Sequence, residues 1–398
     1  MQKETKKPRA PIAIISILIA ALIAVTGCSA KLPIIATDAK HSLTLDADGK
    51  LYATGQNDKG QLGLVGIKYR HTFALIESLE NKNIVAVAVG AQHSLALSAD
   101  GKVYATGRND SGQLGLGESG LGDKFNRNTF TPAQSLEGKK IVAIAAGQFC
   151  SLALDELGKI YGTGRNLGQL GLGHYGALDT FTPARSLENK KIVAIAADNE
   201  HSLALDDEGK TYATGWNRDG QLGLGDTKNR NTFTLVESLG GRKIVAITGG
   251  FAHSLALDSD GKVYAAGWNK YGQLGLSDET SRSAFTLVSS LADKKIVAIA
   301  ASYQHSLAID NNGAVYATGW NDFGQLGLGD KFNRNTFTRV SSLEGKKIVA
   351  IAAGAIHFFV VDSEGNIYAT GDNEYDQLGL GGSSDEKTFK PVVLPDQN

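Results

Sequence analysis

Six of the eight histidines stand in one repeated setting, at the start of segments such as HSLALD. They are His41, His93, His201, His253, His305 and His357, and one further copy of the segment begins with Cys150. Imidazole and thiolate groups bind zinc, but a zinc ion needs its ligands within about 2 Å. Each histidine belongs to a different copy, so we expect structural hydrogen bonds that hold the preceding turn rather than a metal site. Cys150 has no base beside it in the sequence and is expected to be a small buried hydrophobe.

Two other motifs suggest ligand chemistry only weakly. Gly115, Gly117 and Gly120 form a literal GxGxxG, but a dinucleotide site needs a helix after it and no helical pattern follows. Asp46 and Asp48 precede a glycine as in a calcium loop, yet the full ligand pattern is absent, which favours a tight hairpin turn. No Ser/His/Asp or paired-carboxylate arrangement breaks the repeat, so we expect no catalytic residue, no metal and no cofactor.

Seven copies of one unit fill most of the chain. The segment HSLALDDEGKTYATGWNRDGQLGL, from His201, recurs with spacings of 52, 57, 51, 52, 52 and 52 residues between copies. Each unit contains four strand-like runs, exemplified by KIVAIAAG, HSLALD, KVYATG and FTLVESL, which we name runs A, B, C and D. Four antiparallel strands repeated seven times predict an all-β, seven-bladed β-propeller over residues 32–395, followed by a short tail at 396–398. The small side chains of run A suit the crowded axis.

The period, the histidine-serine start, the Asp-Gly turn and the core [LVIT]-Y-A-T-G-x-N-x-x-G-Q-L-G-L resemble the regulator of chromosome condensation repeat family. The resemblance extends from about Leu32 to Pro395 and implies a seven-bladed propeller. The chain departs from the family before the glycine of run C, where the family often has an aromatic residue and this chain has threonine or alanine. Family members include exchange factors for a small GTPase and secreted bacterial propellers that inhibit β-lactamases through loop aromatics.

Positions that vary among the seven copies are the candidate binding residues. In an antiparallel blade, the A–B and C–D connections emerge on one face, which we name the loop face. All three tryptophans lie there at one repeat position, where other copies have Gln, Arg or Asp. Clustered aromatic and arginine side chains are typical of interaction hot spots. The predicted partner-binding residues are Trp216, Trp268, Trp320, Phe251, Tyr303, Tyr271, Phe323, Tyr375, Phe149, Arg108 and Arg165.

Three other interpretations compete with protein binding. The tryptophans could pack between adjacent blades. They could also be stacking platforms for a glycan or cell-wall fragment, with Asn217, Asn269 and Asn321 as hydrogen-bond partners, although the same asparagine occurs in copies without tryptophan and is then explained by a turn. A guanine-nucleotide exchange factor fits less well, because the chain carries an export signal and its largest insertion is five residues.

Residues 1–27 are predicted to be a lipoprotein signal peptide. Four basic residues precede an uncharged apolar run from Pro11 to Val25, which is short for a membrane span. The run ends in Val-Thr-Gly-Cys, which resembles a bacterial lipobox. We therefore expect Cys28 to be lipidated and to anchor the mature chain to a bacterial membrane, outside the cytoplasm, through a linker at 28–31. Cys150 then has no intramolecular disulfide partner.

The charge of the mature chain argues against nucleic acid as a partner. Without residues 1–27, 36 Lys and Arg remain against 40 Asp and Glu, a net charge of −4. Proteins that bind polyanions usually present a basic surface. The sequence thus predicts a monomeric, lipid-anchored, non-enzymatic propeller that binds a protein partner through its loop face.

Overall fold

A computed structural model describes residues 32–117 and 124–395 as seven four-stranded antiparallel sheets. The four strands of each sheet are consecutive in the sequence and lie in chain order. The predicted signal peptide, Cys28, the linker at 28–31 and the tail at 396–398 lie outside the described residues, as does Gly120. Within the described residues, no helix is long and apolar enough to cross a membrane.

The strands are numbered along the chain, with four in each blade. Blade 1 contains β1 (Ile34–Thr37), β2 (His41–Leu45), β3 (Leu51–Gln56) and β4 (Tyr69–Leu75). Blade 2 contains β5 (Ile84–Val89), β6 (His93–Ser98), β7 (Val103–Gly107) and β8 (Arg127–Pro132). Blade 3 contains β9 (Ile141–Ala146), β10 (Cys150–Asp155), β11 (Ile160–Gly164) and β12 (Leu178–Pro183). Blade 4 contains β13 (Ile192–Ala197), β14 (His201–Asp206), β15 (Thr211–Gly215) and β16 (Arg230–Leu235).

The remaining three blades repeat this order. Blade 5 contains β17 (Ile244–Gly249), β18 (His253–Asp258), β19 (Val263–Gly267) and β20 (Arg282–Leu287). Blade 6 contains β21 (Ile296–Ser302), β22 (His305–Asp310), β23 (Val315–Gly319) and β24 (Arg334–Arg339). Blade 7 contains β25 (Ile348–Ala353), β26 (His357–Asp362), β27 (Ile367–Gly371) and β28 (Glu386–Val392).

The seven sheets surround a central channel, which confirms the predicted seven-bladed propeller. The A strands of neighbouring blades contact one another around the ring, and β25 contacts β1 where the ring closes. Alanines of these strands, such as Ala36, Ala145 and Ala352, line a channel cavity of about 260 Å³. Small side chains let seven strands approach one axis, as the sequence predicted.

The end of run D differs from the prediction. Strand β16 ends at Leu235, and the residues Glu237–Leu239, predicted as strand, form a 3-10 turn with Leu239 buried. The chain turns here because Leu239 packs into the core beneath the blade while the backbone redirects towards the next A strand. The same turn occurs in the other blades that continue to a further one, at Glu77–Leu79, Gln134–Leu136, Arg185–Leu187, Ser289–Leu291 and Ser341–Leu343.

The B–C turns are tight hairpins, as predicted, and an aspartate stabilises six of them, whereas blade 2 has Ser98 at that position. In blade 1, Asp46 Oδ1 accepts hydrogen bonds from the backbone N–H groups of Asp48, at 2.9 Å, and Lys50, at 2.8 Å. The hydroxyl of Tyr52 donates to the other carboxylate oxygen at 3.2 Å. The carboxylate is therefore used by its own turn, which explains why the motif recurs without a calcium loop.

Neighbouring blades share their apolar cores. Leu203, Leu205 and Leu222 of blade 4 pack in one buried cluster with Tyr264 and Phe285 of blade 5. Burying a leucine or phenylalanine side chain contributes roughly 1.5–3 kcal/mol. The repeated leucines of the GQLGL segment therefore hold adjacent blades together, as well as each blade to itself.

The threonine before the glycine of run C, where the chain departs from the pattern of the family that it resembles, also joins blades. Thr214 Oγ1 donates a hydrogen bond to the carbonyl oxygen of Gly168 in the preceding blade at 2.9 Å. Equivalent bonds in the other copies are Thr106 to Gly60, Thr163 to Gly112, Thr318 to Gly272, Thr370 to Gly324 and Thr54 to Asp376. The buried hydroxyl thus finds its partner across the seam between two sheets.

The C–D loop of each blade approaches the D strand of the next blade closely. Gly220 has φ +84°, and a Cβ atom there would lie 2.5 Å from Ser283 Cα and 2.7 Å from the carbonyl oxygen of Arg282. Only a residue without a side chain fits this contact without displacement. In blade 7 the position is Asp376, with φ +58°, whose carboxylate lies 2.5 Å from His71 Nδ1 of blade 1.

Candidate protein-binding face

The repeated histidines are fully buried and join neighbouring blades. His201 Nε2 lies 2.9 Å from Ser254 Oγ on strand β18, and this hydroxyl donates to the carbonyl oxygen of Gln221 at 2.8 Å. The pairs His41–Ser94, His93–Ser151 and His253–Ser306 have the same 2.9 Å separation, and His357 contacts Thr37 and Ser42. The structural role predicted for histidine is confirmed, but its partner is the next blade rather than the preceding turn, because the imidazole points across the seam.

Burial keeps these imidazoles neutral. Desolvation lowers their pKa well below the ordinary value of 6.5, to about 3 or about 4. Across 32–117 and 124–395, no three His, Cys, Asp or Glu side chains come together in a way that could hold a metal ion. We name the six histidines and their hydroxyl partners the imidazole belt.

Two seams of the belt lack the histidine-serine pair. Cys150 takes the place of histidine in blade 3, so the buried Ser202 Oγ of blade 4 has no hydrogen-bond partner. Phe358 takes the place of serine in blade 7, and the ring of His305 packs edge-on against it at 4.4 Å between centroids. Cys150 itself is fully buried, and burial raises the pKa of its thiol to about 12, which confirms the expectation of a buried hydrophobe.

The belt predicts opposite results for two equivalent serines. Ser254→Ala should lower the free energy of unfolding by about 2 kcal/mol, because it leaves His201 Nε2 and a buried carbonyl unpaired. Ser202→Ala should leave stability unchanged or raise it, because its hydroxyl is already buried without a partner. Urea unfolding of both variants measures the difference, and equal losses would contradict this account of the belt.

The repeated asparagines shape the C–D loops. Asn217 is fully buried, and its Nδ2 donates to the carbonyl oxygens of Asp226, at 3.0 Å, and Lys228, at 3.1 Å. Its Oδ1 accepts the backbone N–H of Leu222 at 2.9 Å. Asn269 and Asn321 make the same bonds in their own loops. The turn explanation is thereby supported, and these amides are not available to a glycan.

The three tryptophans are half-buried on the loop face and differ in their neighbours. The guanidinium of Arg218 lies 4.5 Å from the centre of the Trp216 ring. Trp268 contacts Tyr271 edge-on at 5.5 Å. Trp320 lies among three rings, which belong to Phe323 at 5.3 Å, Tyr271 at 6.2 Å and Tyr303 at 6.3 Å. The tryptophans therefore take part in loop packing and still reach the surface.

Six of the predicted residues form one continuous set of ring contacts in blades 5 and 6. We name this set the aromatic array: Phe251, Trp268, Tyr271, Tyr303, Trp320 and Phe323. Phe251 and Tyr303 make the closest contact, at 5.0 Å, and are 36% and 38% exposed. Their A–B loops are also joined by a backbone hydrogen bond of 3.0 Å. The rings of the array thus pack against one another, and Phe251 and Tyr303 are also exposed to solvent.

The other predicted residues lie outside the array. Phe149 has the guanidinium groups of Arg108 and Arg165 at 5.1 and 5.8 Å from its ring centre. Arg108 also forms an ion pair of 2.5 Å with Asp110. Tyr375 stacks on Tyr69 at the seam between blades 7 and 1, with the Lys40 ammonium 3.9 Å from its ring centre. These rings are already covered by cations of the chain itself.

Sequence reasoning missed two carboxylates at the mouth of the channel. Asp38 and Asp198 stand three residues before a belt histidine, where four other copies have glycine. Both line a cavity of about 230 Å³ that Phe251 and Tyr303 also line. Burial raises the pKa of Asp38 to about 7, and burial with the charge of Asp38 raises the pKa of Asp198 well above its usual value. The repeat alignment contained the signal, since acid replaces glycine there.

Comparison with known proteins places this arrangement in a family. Residues 6–255 and 74–398 match the family model described as RCC1-like domain. The chain is 34% identical over 373 residues to the ultraviolet-B receptor UVR8 of Arabidopsis thaliana, covering 93% of this chain and 83% of UVR8. The chain belongs to the RCC1-like family, which confirms the resemblance drawn from the repeats.

A further relative and a solved structure differ in how much of their length the likeness covers. The human E3 ubiquitin-protein ligase HERC2 is 33% identical over 344 residues, which are 85% of this chain but 7% of HERC2. The crystal structure of Prp20p from Saccharomyces cerevisiae has a TM-score of 0.76 at 24% identity, covering 90% of this chain and 87% of Prp20p. The match to HERC2 thus reaches only a small part of that protein, and the likeness to Prp20p concerns the fold.

Proposed function

We propose that this protein is a non-enzymatic binding protein, anchored by lipid outside the cytoplasm, that holds a protein partner on the aromatic array. The observation that carries the proposal is the array itself, with Phe251 and Tyr303 more than one-third exposed beside the channel. Exposed aromatic side chains held by neighbouring rings present a large apolar area at little cost in conformational entropy.

The blade fold does not require aromatic residues at these positions. Other copies have Gln56, Arg108 and Arg165 where blades 5 and 6 have Trp268 and Trp320, and the sheets around them keep the same four strands. Six of the nine aromatic residues predicted on this face lie in two adjacent blades. A local function of the loop face accounts for this concentration better than a general packing need.

A protein with the same fold is known to bind other proteins. Prp20p, which shares the fold, is described as binding Gsp1p and histones. For this chain, the basic residues, apolar run and Cys28 at the N-terminus support a partner in the cell envelope rather than a cytoplasmic GTPase.

Affinity capture from the envelope of the native cells tests the proposal. A lipid-free chain should capture a partner. The double variant Phe251→Ala/Tyr303→Ala should capture at least about tenfold less of it, because hot-spot aromatics each contribute about 2 kcal/mol or more to binding. Leu157→Ala, an exposed residue in a B–C turn on the opposite face, is the matched control and should retain the partner. Equal capture by the double variant would refute binding through the array.

The same cells report on the anchor. Wild-type protein should fractionate with membranes and incorporate labelled palmitate, whereas Cys28→Ser should do neither. Membrane association that survives this substitution would remove lipidation from the proposal.

A further inference from the structure

We propose that the mouth of the central channel receives a positively charged side chain, lysine or arginine, supplied by the protein partner. This inference rests on the proposed function, because it assumes that a protein docks on the loop face. It adds the chemistry of the docking segment, which must present a cation next to the aromatic array.

The channel mouth is a cavity of about 230 Å³, against about 30 Å³ for one water molecule in the liquid. Asp38 from blade 1 and Asp198 from blade 4 supply its two carboxylates, and Phe251 and Tyr303 supply two rings. The cavity therefore has the volume, charge and aromatic surface for an aminoalkyl or guanidinium-bearing chain.

The carboxylates have no cation of their own. None of the residues that line the cavity is lysine or arginine. Asp198 Oδ2 and Asn199 Oδ1 are buried without a hydrogen-bond partner, and the Asp198 side chain is 14% exposed. His201 Nε2, an imidazole that bonds Ser254 in the belt, lies 3.8 Å from Asp198 Oδ2. A buried carboxylate without a partner is costly, and an entering cation would relieve that cost.

The backbone makes room for Asp198. A Cβ atom at Gly249, the last residue of β17, would lie 1.9 Å from Asp198 Oδ2. The equivalent residue of every other A strand carries a side chain, namely Thr37, Val89, Ala146, Ala197, Ala301 and Ala353. Blade 5 therefore has its glycine where the carboxylate of blade 4 needs space, so the acid is accommodated by a specific residue of the neighbouring blade.

The rings beside the cavity have no cation over them, unlike several other rings of the loop face. Arg218 covers Trp216, Lys40 covers Tyr375, and Arg108 approaches Phe149. In the described part of the chain, no lysine or arginine lies over Phe251 or Tyr303. Cations bind aromatic faces with about 0.5–2 kcal/mol, and a carboxylate next to the ring adds charge attraction. The two rings without a cation and the carboxylates without a cation therefore favour binding of a basic side chain in this cavity.

Peptide titration tests the inference. The probes are Ac-Gly-Gly-Lys-Gly-Gly-NH₂, its arginine and glutamine counterparts, and free methylamine, added to the lipid-free mature chain at low salt and followed by ligand-observed NMR. The lysine and arginine peptides should bind more tightly than the glutamine peptide by about tenfold, and more tightly than methylamine. Equal binding of lysine and glutamine peptides overturns the inference, and methylamine binding as tight as that of the lysine peptide points to a small-amine site and also overturns it.

Two variants locate the site. Asp198→Asn should weaken the lysine peptide about tenfold, while Asp322→Asn, the same charge change at an exposed residue beside the array, should weaken it less than twofold. If Asp198→Asn fails to fold, Asp38→Asn gives the same comparison. Equal effects of the Asp198 and Asp322 variants overturn the assignment. Partner capture that depends on Phe251 and Tyr303 but not on either channel carboxylate would refute this inference and leave the proposed function intact.

Discussion

Acidification from pH 7 to pH 5 is expected to destabilise this protein severely, because six buried imidazoles must stay neutral in the folded state. Burial lowers their pKa to about 3 or about 4, whereas histidine in an unfolded chain titrates near 6.5. The unfolded chain therefore binds more protons below pH 6.5, and stability falls as pH decreases from 6.5 towards the folded-state pKa values. Above about pH 7.5 the belt has little pH dependence, because the histidines of the unfolded chain are then neutral as well.

The size of the effect is comparable to the whole stability of a folded domain. At pH 5 each unfolded imidazole gains about 2 kcal/mol by protonation, and six gain about 12 kcal/mol, against a typical stability of roughly 5–15 kcal/mol. Asp38, whose pKa is raised to about 7, acts in the opposite direction and offsets about 3 kcal/mol at pH 5. Asp198 offsets a further part, because its pKa is raised as well.

Thermal unfolding between pH 8 and pH 4.5 measures this prediction. The melting temperature should be nearly constant above pH 7 and should fall steeply below pH 6.5. His305→Cys introduces the residue that blade 3 has at this position. It should reduce the pH dependence of the free energy of unfolding by about one proton, or about 1.4 kcal/mol per pH unit. A melting temperature that holds to pH 4.5 would show that the imidazoles accept protons in place.

Gly220→Ala is expected to destabilise the ring far more than Gly225→Ala, although both glycines have φ +84° in the same C–D loop. A Cβ atom at Gly220 would lie 2.5 Å from the backbone of blade 5, whereas none of the chain lies within 4 Å of a Cβ atom at Gly225. The left-handed conformation costs each variant about 1 kcal/mol, and the clash adds about 3 kcal/mol at Gly220 only. Urea unfolding of both variants checks the prediction, and similar losses would mean that the loop moves away freely.

The seam between blades 7 and 1 shows how the fold accommodates an exception at this position. Asp376 replaces the glycine and adopts φ +58°, an uncommon conformation for aspartate. Its carboxylate contacts His71 of blade 1 and so joins the last blade to the first. Ring closure therefore has a carboxylate–imidazole contact where the other seams have a glycine close to the backbone of the next blade.

The sequence repeat made the fold predictable, but it did not predict the contacts between blades that form part of the candidate site. Turn and strand chemistry recurs in each copy, as in the Asp46 hairpin and the Asn217 loop, so the strands and their order follow from local sequence. The partner of His201 did not follow, because Ser254 lies 53 residues away and the contact depends on how two sheets pack. The place of Asp198 did not follow either, since only the closed ring brings it to the channel with Asp38.

The tryptophans illustrate the same limit. Their shared repeat position predicts one face of the propeller, and the structure places them there. Their surroundings depend on loops of adjacent blades, as when Tyr271 of blade 5 contacts Trp320 of blade 6. Sequence could therefore indicate on which face these rings lie, but not that Phe251 and Tyr303 are more exposed than the tryptophans.

Photo-crosslinking in intact cells is the most direct test of binding through the loop face. A photoreactive phenylalanine analogue is placed either at Tyr303, in the aromatic array, or at Leu157, on the opposite face, and the cells are irradiated. Our account predicts one discrete crosslinked protein from position 303 and none from position 157. The same crosslinked protein from both positions, or from position 157 alone, would contradict it.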